Sequence, residues 1–451
     1  MLNFVDNIKK YHIYNNEQFR EFIINLEEKY AIKNETEFFK DLVNFSQNKS
    51  IPYHRWFKYR EGYSHTLVKE LIDREGLSEN EFIIDPFCGS GTTLVESGLN
   101  GFSSLGMDIN PMSSFISNAK ANVYTNEDIN IIKEYIGRLE TQKTKKVDLT
   151  EYDDIKKYFD DAHLNELLFL KKFIDSMNSE KVKNLFLTGY LSIIEECSDR
   201  KRDGNGLKTS KSKVENVKSF YLEKMSIIYD DLIDNRISIN TRGSAVSASS
   251  VDLVNNVHDF IHETNKSPGA IIFSPPYANS FDYFESYKME LRLGGFISSS
   301  KDLKKFRNLA VRSFVNTSES PIAEDLYINL MAKEIENSIP SKEALTGKRD
   351  NRTRKVPKMI RGYFNDMKDI LNQCSLSLPT GKRAYIVVDQ SSYLGKIIPT
   401  DLLLGYLGEQ NGFKVNQIII CRKAKTSGQQ TKRFPYLAES LRESIVVLEK
   451  I

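Results

Sequence analysis

Phe82-Ile83-Ile84-Asp85-Pro86-Phe87-Cys88-Gly89-Ser90-Gly91-Thr92-Thr93-Leu94-Val95 decides the fold. FIID reads as a short buried strand, DPFCGSG as a tight turn, and TTLVESGLNG as a helix by its apolar spacing. Working outward, HTLVKELIDREGL before it predicts a helix. SSLGMDINP after it predicts a second strand and MSSFISNAKANVY a further helix. Strand and helix alternating in this way predict a mostly parallel, doubly wound α/β sheet. The rhythm returns in GAIIFSPPY, a strand ending on two prolines. It returns again in GYFNDMKDILNQCSLSL (helix), RAYIVVDQS (strand) and TDLLLGYLGEQNGF (helix). KVNQIIICRK and ESIVVLEK are expected to form an antiparallel pair at one edge.

The glycine turn sits where a strand hands over to a helix. Glycine lets the backbone approach a ligand closely there, and the helix start offers unpaired N–H groups. No Gly-Lys-Ser/Thr follows, which argues against a phosphate loop, and Leu94 stands where a dinucleotide site carries its third glycine. Asp85 opens the turn, disfavouring a phosphate and suiting a cation. Asp108 lies 17 residues beyond Gly91, at the end of the next strand, where a carboxylate can accept from both hydroxyls of a ribose. The set describes a pocket for an adenosine bearing an amino-acid cation, and S-adenosylmethionine (SAM) fits it. Asp85, Pro86, Phe87, Cys88, Gly89, Gly91, Thr92, Asp108 and Ile109 are the expected contacts. The alternative is a structural turn with a helix-capping aspartate.

Ser274-Pro275-Pro276-Tyr277 closes the apolar strand 270–273. Two prolines fix φ and remove two N–H donors, leaving carbonyls as the backbone function of the turn. Ser274 Oγ and the Pro275 carbonyl can accept from an exocyclic amine and orient its lone pair, while Tyr277 offers a face for a planar base. A duplex base presents its amine in this way only after leaving the stack, so base flipping is implied. A purely structural Pro-Pro turn is the alternative.

The two motifs together resemble the SAM-dependent amino-methyltransferases of DNA. DPFCGSGTT with MDINP matches the cofactor half, and SPPY matches the catalytic motif in the form most associated with cytosine-N4 enzymes. The resemblance implies the class I methyltransferase fold, Rossmann-like with an antiparallel C-terminal edge. It also implies cytoplasmic placement and a place beside a separately encoded restriction endonuclease. RWFKYREGYS (residues 55–64) resembles the segment that closes over the methionine end of the cofactor, which adds Tyr59 and Ser64 to the expected contacts. Two features depart from the family. Gly243-Ser244-Ala245 carries Ser where an acid is common, with Asp252 as a possible substitute, and the glycine turn precedes SPPY by about 180 residues.

The 451 residues carry 63 Lys+Arg against 61 Asp+Glu, for a net charge of +2. That near-neutrality hides a split. Ser341–Arg361 has a local charge of +6 and Asp199–Lys213 has +4, leaving −8 on the rest. Basic blocks on an otherwise acidic enzyme suit a phosphate-tracking surface for double-stranded DNA. Arg200, Lys201, Arg202 and Lys208 in one block, and Lys348, Arg349, Arg352, Arg354 and Lys355 in the other, are the expected DNA contacts. A solvated loop is the alternative for each.

The expected organisation is an N-terminal helical segment (1–50) and catalytic blocks 51–125, 241–296 and 361–451. A helical insertion (126–240) and a basic one (297–360) are the candidates for target recognition. With 40% apolar and 11% aromatic residues the chain can bury a core, and no apolar run is long enough to span a membrane. The N-terminus lacks the pattern of a secretory signal. Cys88, Cys197, Cys374 and Cys421 are scattered, without CxxC pairs or a His cluster, which predicts neither disulfides nor a bound metal. No cysteine follows a proline, as a 5-methylcytosine enzyme would require. Asp389, at the end of IVVD, is read either as a strand cap or as a wall of the base pocket, and His54 and His65 as core or site. Adenine-N6 methylation, RNA base methylation and an inactive DNA-binding partner remain the competing functions.

Overall fold

The computed structural model describes residues 9–60, 62–203, 206–234, 236–316, 325–424 and 428–451. Parts of five expected segments lie outside these residues: 1–8 of the N-terminal segment, 61 of the first catalytic block, 204–205 and 235 of the helical insertion, 317–324 of the basic insertion, and 425–427 of the last catalytic block.

Among the described residues there are twelve strands: β1 (Ile32–Asn34), β2 (Glu81–Asp85), β3 (Ser103–Asp108), β4 (Arg200–Asp203), β5 (Gly206–Thr209), β6 (Gly243–Ser247), β7 (Ser267–Phe273), β8 (Arg383–Asp389), β9 (Ser391–Tyr393), β10 (Lys396–Ile398), β11 (Phe413–Lys423) and β12 (Arg442–Lys450). Eight form the main sheet in the order β1-β11-β12-β8-β7-β2-β3-β6. The run from β8 to β6 is parallel throughout, and β12 pairs antiparallel with both β8 and β11. The fold is the mostly parallel α/β sheet expected of a class I methyltransferase.

One detail differs from expectation. The β11–β12 pair is not the edge of the sheet, because β1 pairs parallel with β11 (Ile32 opposite Ile418) and becomes the edge itself. The N-terminal segment therefore contributes a strand as well as helices such as Glu17–Lys29. The reason is exposed backbone: β11 keeps a row of unpaired N–H and C=O groups until another strand covers it.

Alternation along the strands puts side chains on two faces. Ile83, Ala270, Ile272, Tyr385, Val387, Ile445 and Val447 pack on the helices Thr36–Leu42 and His65–Glu75. Phe82, Ile84, Ile271, Phe273, Ile386, Val388 and Val446 face the helices Leu253–Thr264, Val356–Ser377 and Thr400–Gln410. The helices among residues 126–203 and 206–233 pack into a separate apolar cluster with Trp56, Phe284 and Leu291. The basic block at 199–213, expected as a loop, is an antiparallel hairpin of β4 and β5. The Val356–Ser377 helix runs through the expected boundary at residue 360.

Candidate active site

β2 and β7 are neighbours at the point where the strand order reverses, so the turns that follow them lie side by side at the carboxyl edge of the sheet. Open α/β sheets bind ligands at that crevice. Here it is a cavity of about 680 Å3. Its wall includes Gly89 after β2, Asp108, Ile109 and Asn110 after β3, Ser249–Asp252 after β6, Ser274–Tyr277 after β7, and Asp389 at the end of β8. Residues 308–314 roof it, with Arg312 held by a bidentate pair to Asp366 of the Val356–Ser377 helix.

The glycine turn is built by its own side chains. Asp85 is fully buried; Oδ1 accepts from the Phe87 N–H at 3.0 Å, and Oδ2 from the hydroxyls of Tyr63 at 3.0 Å and Thr93 at 2.5 Å. Burial pushes its carboxyl up to about 6 against those bonds. Gly89 (φ +50°) donates its N–H to Asp108 Oδ2 at 3.0 Å, which ties the two strand ends together. Tyr59 lies so close that a Cβ on Gly89 would come within 2.9 Å of its ring, and Tyr59 itself stacks on Tyr287 at 5.2 Å. Asp108 Oδ1 accepts from the Asn110 N–H at 2.8 Å, and burial raises this carboxyl to about 7.

Of the expected cofactor contacts, Tyr59, Phe87, Gly89, Asp108 and Ile109 reach the cavity. Asp85, Pro86, Cys88, Gly91 and Thr92 stand behind it. Cys88 packs against Gly106, and burial raises its thiol well above the ordinary range. Ser64 needs correcting: it is fully buried at the start of the His65–Glu75 helix, its Oγ shares a hydrogen bond with Thr66 at 2.8 Å, and it does not line the cavity. Gly243-Ser244-Ala245 are within β6, and the turn that meets the cavity carries Asp252.

His54 and His65 serve the same turn from behind. Glu96, on the Thr92–Leu99 helix, lies 2.8 Å from His54 Nε2 and 3.4 Å from His65 Nδ1. Burial would raise Glu96, but the two imidazoles hold it down to about 2, while burial lowers His54 to about 4.

At the SPPY turn, Ser274 Oγ and Tyr277 OH are 3.1 Å apart and both residues face the cavity. Burial raises the Tyr277 phenol well above its ordinary value, with Asp389 and Glu443 adding to it. Asp389 stands on the same wall, its Oδ1 buried without a hydrogen-bond partner among the described residues. The roof residues, Asn110 and Asp366 were not found from the sequence, because they lie on segments without a pattern of their own.

The basic residues divide. Arg202 is not a surface contact: its side chain is 5% exposed, Nη1 bonds Glu195 at 2.5 Å, Nη2 bonds Glu290, Nε donates to the Ser286 carbonyl at 2.9 Å, and the guanidinium lies 4.1 Å over Tyr287. Arg200 bonds Thr209, and Lys201 and Lys208 lie 3.6 and 4.0 Å from Glu196 and Asp203. Arg354 pairs with Glu343. Lys348, Arg349 and Arg352 are exposed, and Lys355 bonds Asn316 at 2.9 Å. Arg352, Lys355, Lys304 and Arg307 line a groove of about 730 Å3 that shares Phe314 with the roof of the cavity. No helix among the described residues is long and apolar enough to cross a membrane.

Comparison with known proteins agrees with this geometry. A family described as DNA methylase, of the N6/N4 type, matches residues 2–119. The type II methyltransferase M.BsoBI of Geobacillus stearothermophilus is 29% identical over 95% of this chain and 92% of its own. M.AvaI of Nostoc sp. is 27% identical over 87% of this chain and 85% of its own, and M.MjaII of Methanocaldococcus jannaschii 29% over 38% and 33%. One sheet, one crevice and two adjacent turns thus coincide with a DNA methylase match at residues 2–119 and with similarity to type II methyltransferases along most of the chain, which supports the amino-methyltransferase family.

Proposed function

We propose that the chain is a type II modification methyltransferase that transfers a methyl group from SAM to the N4 amine of a cytosine flipped out of duplex DNA. The observation that carries this reading is the shared cavity: Ser274 and Tyr277 face the same space as Gly89 and Asp108. Its volume lies within the roughly 300–1,000 Å3 of small-molecule sites.

The residues present fit SAM. Asp108 lines the cavity and retains lone pairs after accepting the N–H groups of Asn110 in its own turn and Gly89 in the neighbouring one, and those can take the hydroxyls of a ribose. The missing side chain at Gly89 lets the Tyr59 ring pack directly on the turn, and both residues line the cavity. Bound SAM supplies an electrophilic methyl on a sulfonium. The protein's part is to hold the amine: Ser274 Oγ and the Pro275 carbonyl accept its two hydrogens, and Tyr277 stacks against the ring. The lone pair would thereby be turned toward the methyl, the nitrogen–carbon bond forming as the methyl–sulfur bond breaks and leaves its electron pair on a neutral thioether, with one proton of the nitrogen passing to solvent. Orientation and exclusion of water do the work, without a strong base. The duplex would run along the groove of Arg352 and Lys355, with Lys348 and Arg349 on neighbouring phosphates. A separately encoded restriction endonuclease of the same specificity would be its partner in the cell.

Serine at the head of SPPY supports cytosine over adenine. Duplex DNA incubated with the protein and SAM, then digested to nucleosides, should contain N4-methylcytosine. N6-methyladenine alone would overturn the base assignment, and methyl groups in tRNA but not in DNA would overturn the substrate.

A further inference from the structure

Three aspartates end adjacent or near-adjacent parallel strands: Asp85 on β2, behind the cavity, and Asp108 on β3 and Asp389 on β8, which line it. Asp85 accepts from the Phe87 N–H and from the hydroxyls of Tyr63 and Thr93, and Asp108 from the N–H groups of Asn110 and Gly89. Asp389 differs. It caps nothing, and its buried Oδ1 has no partner among the described residues, although it stands on the cavity wall with Ser274 and Tyr277. A buried polar atom without a partner is costly and marks a position that a ligand completes.

We propose that Asp389 reads the ring nitrogen beside the target amine, its carboxyl O–H donating to that nitrogen. The inference rests on the amine-transfer reading above. Cytosine and adenine both carry a bare ring nitrogen next to the amine, whereas thymine and guanine carry an N–H at the corresponding place. A carboxyl kept neutral satisfies the first pair and meets the second donor to donor, so the residue selects cytosine and adenine before chemistry begins.

The surroundings favour the neutral form. Burial is the first cause and Glu443, its cross-strand neighbour on β12, the second; together they raise Asp389 to about 8. Arg422 on β11 opposes them, but its guanidinium is already bonded to Glu443. Tyr277, on the opposite turn, stays protonated across the same range.

The test is the rate–pH profile of methyl transfer to DNA by the wild type and by Asp389→Asn, which keeps one donor and one acceptor but cannot ionise. The wild-type rate should fall on the alkaline side as the carboxyl loses its proton, and Asp389→Asn should lack that fall. A second arm uses wild-type protein and DNA whose target base has the ring nitrogen replaced by C–H. The rate should drop about tenfold, and by less than twofold in Asp389→Ala. Identical pH profiles for wild type and Asp389→Asn, or wild-type indifference to the deaza base, would overturn the role of Asp389. A wild type that labels no base amine in DNA would instead overturn the amine-transfer reading itself.

Discussion

Replacing Arg202 by alanine separates a structural cation from a DNA contact. Its guanidinium is enclosed by Glu195, Glu290, the Ser286 carbonyl and the Tyr287 ring, and so joins the β4–β5 hairpin to the Lys288–Leu293 helix. Glu195 keeps a second cation, Arg60, at 2.7 Å after the change. Glu290 has no such reserve: it is 1% exposed, and its Oε2 already lacks a partner. Removing one partner of a buried pair costs about 3–5 kcal/mol. At about 2.1 cal/mol/K of unfolding entropy per residue, 451 residues unfolding together give about 0.9 kcal/mol/K, so Tm should fall by about 3–5 °C. The loss also depends on pH. Burial already raises Glu290, and without Arg202 it rises further; a carboxyl raised in the folded state stabilises at low pH and loses that contribution as pH rises through its folded value. Scanning calorimetry should therefore show a larger deficit at pH ~8 than at pH ~5. Fluorescence anisotropy on a labelled duplex should show unchanged affinity below the transition. A variant with wild-type Tm and weakened DNA binding would refute this reasoning and return Arg202 to the surface.

The exposed basic residues should behave in the opposite way. Arg349→Ala and Arg352→Ala should leave Tm unchanged while each lowers the salt dependence of DNA binding by about one phosphate contact, measured as the slope of log affinity against log salt; an unchanged slope would remove them from the DNA path. Asp108, raised to about 7, should make the ligand-free protein less stable as pH rises from ~4 to ~7. Asp108→Asn should flatten that part of the stability curve, leaving the smaller contribution of Asp85, and should weaken SAM binding in calorimetric titration.

Much of this molecule can be read from local pattern. The glycine turn, Asp108 and SPPY each sit where a strand ends, and alternation or helical spacing on either side fixes which strand that is. What escaped the pattern depended on partners far along the chain. Arg202 reads as one cation in a basic run, yet Glu290, 88 residues on, makes it a core residue. Ile32–Asn34 is too short and polar to announce a strand, and only the open side of β11 turns it into one. Asp389 looked like a cap because strand-terminal aspartates usually are. Its cavity-facing position follows from β8 lying beside β7, which no window around residue 389 contains.

The β1–β11 pairing sets a schedule for synthesis. Ile32 meets Ile418 only after 386 further residues have been made. At about 5–20 residues per second on the ribosome, that is a wait of roughly 20–80 s. The buried carboxylate of Glu27 waits longer still, since the Arg442 guanidinium that holds it at 2.6 Å lies 415 residues away. During that interval the turns after β2 and β7 are already made, while the sheet between β8 and its far edge is open. The cell thus carries, in each nascent chain, a strand edge awaiting its last two members, and a chaperone that shields such edges would act before any methyl group is moved.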